Sequence, residues 1–143
     1  MAIMLVRPMT VEDCAALGPL FTEIPGSVDP RTEIDRELTR AWVAEDAAGP
    51  AGFALAWRVA DEYQILALGT RAPVRRRGYG KALLEALIAS ARAENMSRVS
   101  LEVARANIPA RTLYEARGFT VFNVRRGYYQ RTRDDALEME LRL

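Results

Sequence analysis

Apolar residues recur along the chain with two different periods, and the points where the period changes mark its elements. Ile3 to Arg7 alternates as a short first strand that Pro8 should end. Thr10 stands where a helix cap belongs, with Asp13 three residues on, and Val11, Cys14, Ala15, Leu17, Leu20 and Phe21 fall on one helical face. Pro25 and Gly26 break that pattern. Asp29-Pro30 restarts it as a short second helix, with proline suited to the first helical position and Ile34 and Leu38 packing inward. From Ala41 to Leu68 the period is two: Trp42 and Ala44 lead into an Asp46-Ala47-Ala48-Gly49-Pro50 turn, and Phe53, Leu55, Trp57 and Val59 alternate with smaller or polar residues. Asp61-Glu62 turns the chain again into a strand over Tyr63 to Leu68. The helical period returns from Gly80 to about Ala93, where Leu83, Leu84, Leu87, Ile88 and Ala91 form one stripe. Arg98 to Ala104 is a strand with Val99, Leu101 and Val103 on one face and Ser100, Glu102 and Ala104 on the other. Asn107 caps a fourth helix, Pro109 lies in its first turn, and Gly118 closes it. Phe119 to Val124 and Ala136 to Leu141 read as a closing antiparallel pair.

This order, βααβββαβαββ, predicts an α/β sandwich around a mixed sheet. With 143 residues, half of them apolar, the chain suits one domain over 1–143. The net charge of +1 provides no global field to recruit nucleic acid or an anionic membrane, so neither is expected as a partner. No window approaches the ~20 apolar residues of a membrane span, and the cytoplasm is the default expectation. There is no histidine, which removes Ser-His-Asp and Cys-His chemistry and histidine-ligated metal. The single cysteine, Cys14, allows no internal disulfide and falls within an apolar helical pattern as a buried thiol. No metal is expected.

The candidate chemistry starts where the strand ending near Leu68 meets the third helix. Between them lie Gly69-Thr70-Arg71-Ala72-Pro73-Val74 and Arg75-Arg76-Arg77-Gly78-Tyr79-Gly80-Lys81. A basic, glycine-bearing turn running into a helix aims free backbone N–H groups and a positive dipole end at an anion. A P-loop would need glycine at 75 and Ser or Thr at 82, where Arg75 and Ala82 stand. A dinucleotide fingerprint would need glycine at 83, where Leu83 stands. Arg75-x-x-Gly78-x-Gly80 instead resembles the pyrophosphate-binding motif, Gln/Arg-x-x-Gly-x-Gly/Ala, of the GNAT superfamily of acyl-CoA-dependent N-acyltransferases. The resemblance implies acetyl-CoA as co-substrate, held by Leu68, Gly69, Thr70, Arg75, Arg76, Arg77, Gly78, Tyr79, Gly80 and Lys81. It also implies an α/β/α sandwich around a mixed, mostly antiparallel, splayed sheet, and the element order agrees along the full length.

A second constellation sharpens the likeness. Leu101-Glu102-Val103, Asn107, Leu113-Tyr114-Glu115 and Gly118-Phe119, with Arg125-Arg126-Gly127-Tyr128-Tyr129 and Asp135-Ala136-Leu137-Glu138-Met139, resemble the RimI-type branch of GNAT enzymes, which acetylate the N-terminal amine of a ribosomal protein. Asn107 and Tyr114 are seven residues apart, about two turns, so one helical face could present both to a ligand. In family terms Glu102 is the general base, Tyr114 the acid that protonates the departing thiolate, and Asn107 a contact to the pantetheine arm of acetyl-CoA. Backbone N–H groups of Leu66 to Gly69 are the oxyanion donors. Tyr128 and Tyr129 would wall the acceptor groove, with Glu23, Asp29 or Glu33 attracting a basic residue further along the peptide.

The implied partner is a protein N-terminus, ribosomal by this likeness, and the implied assembly a monomer or homodimer. The RimI branch usually carries a Pro-Trp pair between its first two helices, whereas this chain has Ile24-Pro25-Gly26-Ser27. Two alternatives therefore stay open: a GNAT enzyme of small-molecule amines, and a non-catalytic acyl-CoA-binding sensor domain.

Overall fold

The computed structural model describes residues 4–23, 29–72, 75 and 77–143. Ile3, the Ile24-Pro25-Gly26-Ser27 stretch, Pro73, Val74 and Arg76 lie outside them. The elements are β1 (Leu5–Pro8), α1 (Val11–Glu23), α2 (Pro30–Glu33), β2 (Thr39–Asp46), β3 (Gly49–Val59), β4 (Glu62–Thr70), α3 (Tyr79–Ala93), β5 (Arg98–Ala104), α4 (Ile108–Ala116), β6 (Thr120–Tyr129) and β7 (Asp134–Arg142). This is the order the periodicity predicts. The strands form one seven-stranded sheet, β1-β2-β3-β4-β5-β7-β6. Every neighbouring pair is antiparallel except β4–β5, which is parallel.

Two apolar clusters sandwich the sheet, and β3 shows why. Phe53 and Leu55 face α1, where they meet Cys14, Leu17 and Leu20, with Phe21 edge-on to Phe53 at 4.5 Å between ring centres. Ala51, Ala54 and Ala56 face the other way, and their small side chains admit Leu83, Leu84, Leu87 and Ile88 of α3. Burying a Leu-sized side chain contributes about 1.5–3 kcal/mol, so the α3 stripe is a main source of cohesion. Val99, Leu101 and Val103 of β5 join that same cluster, together with Tyr114 and Leu113 of α4.

Several local expectations need correction. Pro8 does end β1, but as its last paired residue, opposite Trp42, and not as the first residue beyond it; the edge position of β1 leaves an outer side that needs no N–H donor. Val11 and Ala15 are exposed, so the buried stripe of α1 is narrower than its apolar pattern. Asp13 is buried instead. Ile34 ends α2 and Leu38 lies beyond it, although Asp29 does cap the helix and Pro30 does open it. Both closing strands are longer than predicted. In β6, Phe122 and then residues 126–128 fall out of register with β7, and two such bulges erase the period of two.

Asp13 fixes how α1 enters the structure. Its carboxylate accepts two bonds from Arg7 (2.8 and 2.7 Å) and one from the Thr10 N–H (2.7 Å), so the first turn of α1 is tied to β1. Asp13→Asn should lower the unfolding free energy by about 2 kcal/mol at neutral pH, since charge-assisted bonds are lost at a buried position. The guanidinium of Arg7 beside Asp13 holds its carboxyl below the usual carboxylate value. That stabilisation is complete above the unfolded value of about 3.9 and is lost as pH falls through the lower folded value. Urea denaturation of the two proteins should therefore differ fully at pH 7 and converge below pH 4.

Candidate active site

The parallel ladder between β4 and β5 is short, running from Glu62 opposite Arg98 to Ile65 opposite Leu101. Beyond it β4 continues to Thr70 and β5 to Ala104 without pairing to each other. The break coincides with a bulge: Ile65 pairs with Ala56 and Ala67 with Leu55, leaving Leu66 without a partner on β3. The bulge also reverses the facing of β4. Tyr63 and Ile65 lie in the cluster under α3, Leu66 and Ala67 turn to the α1 side, and Leu68 returns. Alternate N–H groups of Leu66 to Gly69 that point away from β3 therefore face a gap in the sheet.

One mouth of this gap is the start of α3. Its N-cap is Gly78, at φ +84°, with no side chain to satisfy the helix terminus. The first backbone bond of the helix runs from Ala82 N to Gly78 O, so the N–H groups of Tyr79, Gly80 and Lys81 precede it. Arg77 and Lys81 are exposed here. Arg75 donates to the Thr70 carbonyl at 3.1 Å and pairs with Glu23 at 3.1 Å, an exposed contact of small strength that a better anion can replace. Tyr79 differs from the expectation: its side chain turns inward and donates to Asp46, so only its backbone faces the loop.

Near the gap on the α4 side, Tyr114 is buried against Phe119, 5.5 Å between ring centres. Burial pushes its phenol well above the ordinary value of about 10, and it keeps its proton throughout the neutral range. Among the described residues nothing hydrogen-bonds its hydroxyl. Asn107 stands just before the helical residues of α4 that carry Tyr114. It is the N-cap, with non-helical backbone, and its Oδ1 accepts from Ala110 N at 3.3 Å, which leaves its amide nitrogen for a ligand.

The other mouth gathers Glu102 of β5 with Arg125, Tyr128 and Tyr129 of β6. Arg125 lies between Glu102 (3.8 Å) and Glu138 (3.3 Å), with its guanidinium 5.3 Å from the Tyr128 ring centre. Tyr128 and Tyr129 meet edge to face at 5.3 Å, and burial, then the Glu102 and Asp134 charges, raise the Tyr129 phenol. A β6 bulge at Gly127 (φ +59°) carries this pair. It is pinned by Asp135, which accepts from Gly127 N (2.9 Å) and from Arg105 (3.1 Å). The three acidic groups expected to attract a basic residue are already engaged. Glu23 holds Arg75, Asp29 caps α2, and buried Glu33 accepts from Trp57 (2.8 Å), Thr39 and Arg36. A concavity of about 560 Å³ at the far end of the sheet is lined by Arg36, Arg40 and Arg58, which are paired to Glu33 or Glu94.

Among known proteins, the profile of the acetyltransferase (GNAT) family matches residues 12–119. The chain belongs to this family. It is 38% identical over 93 residues to the ribosomal protein bS18-alanine N-acetyltransferase of Escherichia coli (strain K12). That match covers 64% of this chain and 63% of the relative's length. The crystal structure of the ribosomal-protein-S18-alanine N-acetyltransferase from Escherichia coli is similar with a TM-score of 0.88 at 27% identity, over 98% of this chain and 94% of that one. Arabidopsis thaliana NAA60 in complex with acetyl-CoA shares the fold, with a TM-score of 0.86 at 20% identity over 99% of each chain.

The site also depends on a residue that the period of two cannot single out. A Cβ on Gly52 of β3 would lie 2.9 Å from the Gly69 carbonyl oxygen and 2.9 Å from Thr70 Cγ2. Gly52 pairs with Thr70, so its lack of a side chain lets the end of β4 sit where it does. Gly52→Ala should displace Gly69 and Thr70 and lower stability by about 1–3 kcal/mol, read as a lower urea midpoint with an unchanged slope.

Proposed function

We propose that this GNAT chain transfers the acetyl group of acetyl-CoA to a primary amine, the α-amine of a protein N-terminus. The observation that carries the reading is the gap between β4 and β5, with a glycine-capped helix terminus at one mouth and Glu102 with two tyrosines at the other. The donor fits the first mouth: nothing lies within 4 Å of a Cβ built on Gly78, and one on Gly80 would meet only Leu68 and Leu113 at ordinary contact distance. Packing therefore does not demand glycine at 80, whereas close approach of a pyrophosphate to the backbone does. The Arg75, Arg77 and Lys81 charges lie beside the same loop.

The chemistry follows from charge. An ammonium cannot attack a thioester, so Glu102, directly or through water, takes its proton. As the amine adds to the carbonyl carbon, the oxygen becomes negative where N–H groups of Leu66 to Gly69 can donate to it. The C–S bond then breaks, and Tyr114, still protonated, supplies a proton to the leaving thiolate. The second proton lost by the acylated nitrogen returns through water to the phenolate, which leaves a neutral amide, a thiol and the original phenol. A free α-amine costs about 1 kcal/mol to generate at pH 7 and a free lysine about 4.6 kcal/mol, so one carboxylate suits a protein N-terminus better. The relative from Escherichia coli bears the name of a ribosomal protein bS18-alanine N-acetyltransferase, which supports an N-terminal alanine of a ribosomal protein as the acceptor.

Tyr114→Phe should lower kcat by about 10²-fold while leaving acetyl-CoA affinity nearly intact. Glu102→Gln should depress turnover most below pH 7, where more of the amine is protonated. Steady-state rates of both variants at wild-type level would make these residues structural. For the acceptor, a peptide with N-terminal Ala should be acetylated at its terminus, and a copy with that amine blocked but a lysine free should react far more slowly, as read by mass spectrometry. Equal reaction of the blocked peptide, or turnover of small amines alone, would replace the protein N-terminus as acceptor. Binding of acetyl-CoA without turnover of any amine would make the chain a sensor.

A further inference from the structure

We propose that Asp46, at the tip of the β2–β3 hairpin, is a positioning residue that sets the aim of the α3 terminus toward the donor's pyrophosphate. The inference rests on the donor reading above, because Asp46 lies outside the loop and acts through residues at its two ends. Asp46 is the last residue of β2 and its side chain is 10% exposed. Its Oδ1 accepts from the Ala48 N–H at 2.9 Å, which holds the carboxylate in the hairpin turn. Its Oδ2 accepts from the Tyr79 hydroxyl at 2.8 Å. Arg71 Nη2 lies 3.8 Å from Oδ1, and the Arg71 N–H donates to Ala51 O at 2.8 Å.

These contacts bracket the loop. Arg71 is the first residue after β4 and Tyr79 the first of α3, so the hairpin grips the loop where it begins and where it ends. The grip is needed at the second end. Gly78 has a left-handed backbone, no side chain and no neighbour within 4 Å of its missing Cβ, so by itself it allows the first turn of α3 to rotate. The Tyr79 ring is 6% exposed, and its hydroxyl is bonded to a carboxylate held in a turn. A charge-assisted O–H···O⁻ bond is stronger than a neutral one and is directional, so it suppresses that rotation before the donor arrives. The N–H groups of Tyr79, Gly80 and Lys81 then need no reordering to meet a phosphate.

The placement gives a test with opposite signs. Asp46 is a negative charge close to an anion site, so as a plain charge it would weaken donor binding and its removal would tighten it. As a positioning residue its removal weakens binding. Asp46→Asn, Tyr79→Phe and the double variant would be titrated with acetyl-CoA by calorimetry. Their steady-state kinetics would be compared on acetyl-CoA and on S-acetylpantetheine, which carries the same thioester without the pyrophosphate. Expected is an increase of about fivefold or more in the Kd and KM for acetyl-CoA for each single variant, with less than the sum of the two effects in the double variant, because Asp46→Asn removes the charge from the same bond that Tyr79→Phe deletes. Turnover of S-acetylpantetheine should be unaffected by Asp46→Asn. Unchanged or tighter acetyl-CoA binding by Asp46→Asn and Tyr79→Phe, or an equal loss with S-acetylpantetheine, would overturn the proposal. Tyr79→Phe keeps the ring and its volume, so it reports on the bond even if Asp46→Asn unfolds. Failure of the wild-type protein to bind acetyl-CoA would instead remove the donor reading itself.

Discussion

Two parallel strands that pair over four residues and then part create the constraint on which the rest of this structure depends. Parallel neighbours in an α/β sheet ordinarily pair along their length, which would close the sheet and leave no backbone donor free. Here the bulge at Leu66 turns β4 away just where its pairing with β5 ends. Leu68 returns to the α3 side, and Leu113 of α4 comes near the first turn of α3. The resulting gap passes through the sheet, so groups carried on opposite faces share a passage. Glu102 lies on the face opposite Leu101 and Val103, whereas Tyr114 lies with them in the cluster under α3. Only a break in the sheet can give a carboxylate on one face and a phenol on the other access to a common space.

Charge is distributed to match. A net charge of +1 conceals one mouth with Arg75, Arg77 and Lys81 and another with Glu102 and Glu138 around Arg125. Many of the other arginines are committed to carboxylates: Arg7 to Asp13 and Glu45, Arg40 to Glu94, Arg98 to Glu62 and Glu140. Among the described residues, Arg77 and Lys81 have no ion pair. The helix terminus adds its dipole to these two cations, which favours an anion there.

Much of this protein was determined by local pattern, for a physical reason that acts within a few residues. The α3 stripe, the Asp29-Pro30 start of α2, the Asn107 cap of α4 and the closing Gly118 at φ +102° depend on side-chain period, capping bonds and backbone preference, and all stand where the sequence places them. The glycines of Arg75-x-x-Gly78-x-Gly80 were legible for the same reason, because a strand running into a helix dictates where free N–H groups point. What only the tertiary structure decided involves partners far apart in the chain. The bulges of β6 hide its length because pairing with β7, not the period of two, holds residues 120–129 extended. Glu33 looks available in the sequence yet is consumed by Trp57, and Gly52 looks incidental yet makes room for Gly69. Tyr79 belongs to the loop by sequence and to Asp46 by contact, across 33 residues. A hydrogen bond or close approach between distant segments leaves no periodic trace, since it is fixed by how the helices and sheet pack and not by what precedes or follows each residue.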